Sequence, residues 1–379
     1  MSMENIDICQ ISNENIRASL VKFIEKYVKS QNIKVCVERG SKKASQSEIR
    51  RASIGLHDFF SREIYIYTKL SKGIAIDSDG FNEYAKCYHS IDTNMSECLL
   101  LEDLCRKQFE MMDYRTTHVT YEHAALVMKA LGKFHAISFA LKDQQPQKFK
   151  QLSKKLTELF YKPDVGFEAK TEDMLESIFE SLQRSNRPDL IEKMRNQTKD
   201  GFLTSARQTV LNEMAGPHAV ICHGDAWINN CMYKLSEDGV AVAVKLIDWQ
   251  FTRYASPVTD IVMYLLCCTT KKLRDERYND LLHVYYDSCS HLLKMLGSEP
   301  KKLFPIDIFL SEVKKFGKYA GFVGAFLCLV MTGDAEKFPD IDDSIKDAFE
   351  DTHKTLEATK ALDAKVLDLY SDLALYGYI

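Results

Sequence analysis

The chain has no stretch of about 20 apolar residues, the length that a membrane-spanning helix requires. Its longest apolar run, Tyr319 to Met331 (YAGFVGAFLCLVM), is shorter and predicts a buried helix instead. Gly321 and Gly324 within it point to close packing against a neighbouring helix. The opening residues, MSMENIDICQ, lack the basic stretch and apolar centre of a secretory signal. The eleven cysteines include no CxxC pair, so neither a zinc ribbon nor a disulfide frame is indicated. Cys267 and Cys268 lie in an apolar run and are expected as buried thiols of a reducing compartment. A net charge of −4 argues against a nucleic-acid binder working through a broad basic face. There is no internal repeat and no low-complexity tract. These absences predict a cytoplasmic globular protein with no nucleic acid, no membrane and no obligate protein partner.

What is present is a chain of 379 residues, long enough for one large or two ordinary domains with ample core. Asn13 can cap a helix whose Ile16, Leu20, Phe23, Ile24 and Tyr27 recur at helical spacing. Ile33 to Val37 predicts a strand, and Phe59 to Leu70 lies in a second helix. Cys98 to Leu104 (CLLLEDL) begins as an apolar strand and ends in acids. A long helix is expected from Thr120 to Leu141, mostly helix from Phe149 to Asn212, and helix throughout after Lys271. Two short strands are expected at Ala219 to Cys222 and Val240 to Ile247, the second entered through a turn at Glu237 to Gly239.

The chemistry concentrates in HGDAWINN, His223 to Asn230, and LIDWQ, Leu246 to Gln250. Gly224 permits a sharp turn beside Asp225. Asn230 follows five residues on, and the returning strand delivers Asp248 to the same end of the unit. Phosphoryl transfer needs a carboxylate to orient the attacking hydroxyl and hard oxygen ligands to hold Mg2+ on nucleotide phosphates. Asp225 fits the first task, and Asn230 and Asp248 the second. Taken one at a time, Asp225 and Asn230 would merely cap a turn and Asp248 would end a strand. Their joint spacing is what points to a site.

These segments, with SREIYIY (Ser61 to Tyr67), CLLLEDL, LGKFHAIS (Leu131 to Ser138) and PVTDIVMYL (Pro257 to Leu265), resemble the ecdysteroid kinase-like family. That family is related to choline kinases and aminoglycoside phosphotransferases. Ala226 stands where the family more often has Leu, and Trp249 where Phe is common. The resemblance implies an α+β, bilobal, protein-kinase-like fold. It places an N-terminal lobe and hinge at residues 1–104 and a helical catalytic lobe at residues 105–379. It implies an ATP-dependent phosphotransferase with Mg2+, acting on a hydroxyl of a small molecule, with a steroid-like alcohol the leading candidate. Asp225 resembles the catalytic base, and Asn230 and Asp248 the metal ligands. Glu102, Asp103 and Leu104 resemble the hinge that meets the adenine edge. Glu63 resembles the helix carboxylate that pairs with a strand lysine on the phosphates. Asp260 resembles a buried acid behind the catalytic loop, which His223 supports, and His135 is expected to pack.

One part of the pattern is missing. Such an enzyme covers the phosphates with a Gly-rich turn between two strands, and a third strand carries the lysine. ERGSKK, Glu38 to Lys43, leads towards that turn, yet EIRRASIGLHDFF, which follows almost at once, resembles the segment after the lysine. The omission falls between Lys43 and Ile49. Lys42, Lys43, Arg50 and Arg51 lie in a polar run without strand alternation and are expected at the surface. The alternative reading of the whole chain is therefore a catalytically inactive pseudokinase that binds a ligand or partner.

Overall fold

The computed structural model describes residue 18 and residues 56–70, 80–94, 96–161, 168–333 and 355–379. Ala18, inside the helix expected from Asn13, is helical. The rest of that helix, the strand at Ile33 to Val37 and the Lys43 to Ile49 junction lie outside the described residues.

The N-terminal part begins with α1, Leu56–Tyr65, which ends in a π-turn at Ile66–Leu70. Its inward residues Ile64, Ile66, Tyr67 and Leu70 are all buried, as the helical spacing of the segment requires. Next comes an antiparallel pair, β1 (Cys87–Ile91) and β2 (Cys98–Leu101), with Ile91 opposite Cys98. β3, Phe109–Met111, follows the turn after Leu104.

The remainder is chiefly helical. It contains α2 (Tyr121–Gln144), α3 (Pro146–Ser153), α4 (Glu168–Arg184), α5 (Pro188–Gln197) and α6 (Phe202–Val210). Four short strands come next: β4 (Val220–Cys222), β5 (Cys231–Leu235), β6 (Ala241–Leu246) and β7 (Arg253–Ala255). The chain then runs through α7 (Val258–Cys268), α8 (Lys271–Met295), α9 (Ile306–Phe316), α10 (Tyr319–Thr332) and α11 (Leu356–Leu375). The class is α+β, with small sheets at one end and a helical body.

The central strands pair differently from the expected strand–loop–strand unit. β6 forms its hairpin with β5, through a turn in which Ser236 accepts the Gly239 N–H and Gly239 has φ 75°. β4 pairs with β7, with Cys222 opposite Arg253. β5 takes one edge of β6, and β4 satisfies its backbone on β7. β3 completes a three-stranded sheet in the order β3-β5-β6.

α2 is the axis of the body. It is apolar on almost every face because neighbours surround it, and α8 runs along it so closely that a Cβ on Gly132 would lie 2.6 Å from the Tyr285 carbonyl. Among the described residues α2 is also the one helix long and apolar enough to cross a membrane, and 83% of its apolar window is buried inside the protein. The run at Tyr319 to Met331 is a core helix as expected. A Cβ on Gly324 would meet Leu369 at 2.3 Å, so the glycine lets α10 seat against α11. Buried Asp372 of α11 accepts from Arg274 at 2.5 Å and Lys271 at 2.8 Å, tying α11 to α8.

Candidate active site

β4 ends at Cys222, and the chain enters a loop whose shape is held from behind by Asp260. This carboxylate, on the first turn of α7, is fully buried. One oxygen accepts the His223 N–H at 2.6 Å and the Nε2–H of His135 at 3.2 Å, and the other accepts the Gly224 N–H at 2.9 Å. Burial opposes its charge, but the hydrogen bond and charge of His135, with His223 and Arg253 nearby, outweigh burial and hold the carboxyl below its usual range. His135 also pairs with the Tyr285 hydroxyl at 2.9 Å. Three residues on, Ser138 accepts the N–H of Ile221 at 3.1 Å. The polar positions of LGKFHAIS thus brace the strand and loop from α2.

His223 supports the loop on its other side. Its Nε2 donates to the Ile247 carbonyl at 3.0 Å, and its Nδ1 accepts the Asp225 N–H at 3.3 Å. This fixes the neutral tautomer, and burial drives the ring's pKa down to about 4. Its ring lies 4.4 Å from that of Trp249. Gly224 has φ 87°, and any Cβ there would come within 2.0 Å of the Phe251 carbonyl. Both the backbone sign and the space require glycine.

Asp225 and Asn230 meet directly. The Asn230 amide nitrogen donates to the Asp225 carbonyl at 2.9 Å and to its Oδ2 at 2.8 Å. With that nitrogen committed, the amide oxygen is the atom that Asn230 can offer a cation. The Ile247 N–H binds the Asn230 carbonyl at 3.0 Å, which draws the Asp248 segment alongside. Asp248 has φ 64°, a left-handed backbone uncommon for a residue with a side chain. Gln250 donates to its Oδ2 at 3.2 Å. Burial, followed by the charge of Asp248, pushes the Asp225 carboxyl up to about 7, while the Asn230 amide pulls it back. Burial likewise pushes Asp248 up to about 6.

Glu63, on α1, faces the same place. Its carboxylate accepts the Trp249 N–H at 3.2 Å. Burial first, and then the charge of Asp248, raise it to about 7. The carboxylate thus turns inward to a backbone N–H beside Asp248. The charge of Asp248 opposes those of both Glu63 and Asp225, and carboxylate and amide oxygens are the donor types that a hard divalent cation takes.

The three predicted hinge residues follow β2. The Glu102 N–H donates to the Lys86 carbonyl at 2.8 Å, and its carboxylate is ion-paired with Lys107. Asp103 caps the next turn through the N–H groups of Cys105 and Arg106, at 3.1 and 3.4 Å. The Leu104 carbonyl accepts from Lys107 and Phe109. A nucleotide edge here must therefore use other backbone groups of the segment. Leu104 packs with Ala85, Phe109 and Met232, and Ile247 lies against this cluster, so the segment rests on the strands that carry Asn230 and Asp248.

Sequence reasoning passed over Arg62 and the polar group around Arg253. Arg253 lies 3.6 Å from Glu158 and donates to the Tyr319 hydroxyl at 2.8 Å, all inside the body. Arg62 lies within the SREIYIY segment, but nothing in its spacing signals what an isolated arginine will meet. Cys267 and Cys268 are buried as expected, yet with Leu266 they also line a cavity of about 580 Å³ that reaches Ile228, between Asp225 and Asn230. The run thus both packs in the core and borders the cavity. Burial raises the Cys268 thiol to about 12, and this thiol is within electrostatic reach of Asp225.

The chain is similar to several known proteins. A Caenorhabditis elegans protein described as the uncharacterized oxidoreductase dhs-27 is 23% identical over 280 residues, 70% of this chain and 31% of that protein. The chain thus spans about a third of that relative's length. A solved structure described as an aminoglycoside phosphotransferase from Ralstonia eutropha is 12% identical, with a TM-score of 0.41. That alignment covers 94% of this chain and 98% of the other. The model of the ecdysteroid kinase-like family matches residues 16–298. That match takes in α1, the hinge segment and both acid-bearing loops, and the protein belongs to the ecdysteroid kinase-like family.

Proposed function

We propose that the protein is an ATP-dependent phosphotransferase that modifies a hydroxyl of a small molecule, with a steroid-like alcohol as acceptor. The observation that carries this reading is the meeting of Asp225, Asn230 and Asp248 in one braced cluster. Asp225 orients the acceptor hydroxyl and takes its proton, and a carboxyl raised to about 7 by burial and the Asp248 charge is poised for that task. Asn230 and Asp248 would hold Mg2+, which when bound neutralises charge on the nucleotide phosphates. A division into lobes goes with this reading, with the boundary near residue 104 and with Asp225, Asn230 and Asp248 in residues 105–379. The segment Glu102 to Leu104 faces the adenine.

The acceptor space is the cavity beside Ile228. Its walls include Leu266, Cys267, Cys268, Met331 and Leu369, and its volume of about 580 Å³ falls among small-molecule sites. The soft apolar side chains suit a bulky alcohol, and Arg115, Arg274 and Lys365, set against Glu357 and Asp368 in the same lining, work against a polycationic sugar.

The pseudokinase reading has one observation in its favour. Glu63 spends its carboxylate on the Trp249 N–H, next to Asp248. One assay separates the two readings: transfer from labelled ATP to a panel of hydroxylated steroids and small alcohols, with Asp225→Asn and Asp248→Asn as controls. Transfer by the parent and its loss in both variants supports the enzyme. A melting temperature raised by Mg2+·ATP without transfer supports the pseudokinase. Equal transfer by all three proteins sinks the mechanism.

A further inference from the structure

We propose that Arg62 is a positioning residue, which from α1 sets the turn that carries Asp248. Arg62 is 7% exposed. Its Nη1 donates to the carbonyls of Thr157 at 2.5 Å and Thr252 at 2.8 Å, and its Nη2 donates to the carbonyl of Lys155 at 3.1 Å. All three acceptors are backbone carbonyls in the C-terminal part of the chain. Burial draws the guanidinium down to about 10, and Glu158 and Asp58 offset this from a distance. Nη1 alone bridges the two chain segments, and the planar fork adds Nη2 to hold the guanidinium on the Lys155–Thr157 side.

The next residue on the helix completes the arrangement. Glu63 accepts the Trp249 N–H at 3.2 Å, so Arg62 and Glu63 hold opposite ends of the segment Trp249 to Thr252. That segment is a closed turn, with the Thr252 N–H on the Trp249 carbonyl at 3.1 Å. Between its ends, Phe251 packs its ring 5.0 Å from Phe59 of α1 and sets its carbonyl against Gly224. The turn is thus a spacer between α1 and the catalytic loop, and Asp248 enters it with φ 64°. A left-handed aspartate persists where the surrounding structure over-determines it. Arg62 supplies that constraint from outside the acid cluster.

The test uses Arg62→Lys and Arg62→Gln in the full chain. The two tryptophans of the protein, Trp227 and Trp249, both stand in the site, so intrinsic fluorescence titrated with Mg2+·ADP reads it without turnover. A lysine ammonium reaches less far than Nη1 and has no second nitrogen for the Lys155 carbonyl, and the Lys variant is expected to weaken the Mg2+·ADP midpoint about tenfold, the equivalent of about 1.4 kcal/mol. Amide exchange is expected to quicken at residues 248–254 while α8 stays protected as in the parent. Unchanged exchange at 248–254 in a folded variant overturns the proposal. So does loss of protection throughout, or failure of both variants to fold, since Arg62 would then be holding the fold and not the turn. The inference rests on the phosphotransferase reading only for its metal side. If the parent shows no response to Mg2+·ADP, that reading fails, and exchange at 248–254 still decides the role of Arg62.

Discussion

The loop around Asp225 and the cavity that reaches Ile228 are built differently. In the loop nearly every polar group has a named partner: Asp260 takes two backbone N–H groups, His223 uses both ring nitrogens, and Asn230 is bonded twice to Asp225. Buried polar groups demand such satisfaction, and the result is rigid. The cavity instead mixes Leu266, Cys267, Cys268, Met331 and Leu369, side chains that pack without directional demands, with the charged Arg115, Arg274, Lys365 and Asp368. The loop is therefore held by geometry that tolerates little change, whereas the cavity wall has apolar positions at which shape can drift.

The widest gap between the two regions is expected in the reaction itself. Asp225→Asn should lower phosphate transfer from labelled ATP by about a thousandfold, the range for losing a general base. The same change should raise the melting temperature slightly, because it removes a buried charge opposed by Asp248. A fall in both quantities would mean that Asp225 holds the loop and does no chemistry.

Asp260→Ala attacks the brace. It strands the N–H groups of His223 and Gly224 and leaves His135 without its acceptor. The expected cost is about 3 kcal/mol, read from the urea midpoint. A change below ~1 kcal/mol would mean that the loop keeps its shape without this acid.

The cavity should respond differently. Met331→Trp narrows it from the edge, and the KM for a bulky acceptor should rise about tenfold while that for ATP holds. If the two constants rise together, the cavity is not the acceptor site.

The smallest effect concerns pH. The carboxyls of Glu63 and Asp225 are raised to about 7 and that of Asp248 to about 6, by burial first and, for the first two, the charge of Asp248 next. In the unfolded chain such groups titrate near ~4. The stability they contribute is therefore fully present below that pH and is lost as pH rises through about 7. A bound cation offsets the loss, so the rise in melting temperature on adding Mg2+ should be larger at pH 8 than at pH 5.5. Equal rises at the two pH values would place the cation elsewhere.

How far the chain could be read depended on the range of each interaction. The helix at α1, the long helix at α2 and the acid-bearing loops were visible because period and turn chemistry act over a few residues. The pairing of β4 with β7 was not, since a three-residue strand carries no mark of its partner. The strand at Cys231–Leu235 was likewise hidden between two louder motifs. Cys267 and Cys268 illustrate the limit well. Their burial followed from an apolar run, but their place on a cavity wall depends on α10 and α11, residues some sixty to a hundred positions away in sequence.

By itself, then, the sequence determined the inventory: which acids and which amide stand at which spacing, where a glycine must turn, and which faces seek burial. Only the tertiary structure decided their company. Asp260, His135 and Ser138 reach the loop from two separate helices, and Arg62 reaches the Asp248 turn from a third. The physical reason is that turns and helical faces are settled by neighbours along the chain, whereas a buried polar group is settled by whichever partner the packed core brings within about 3 Å.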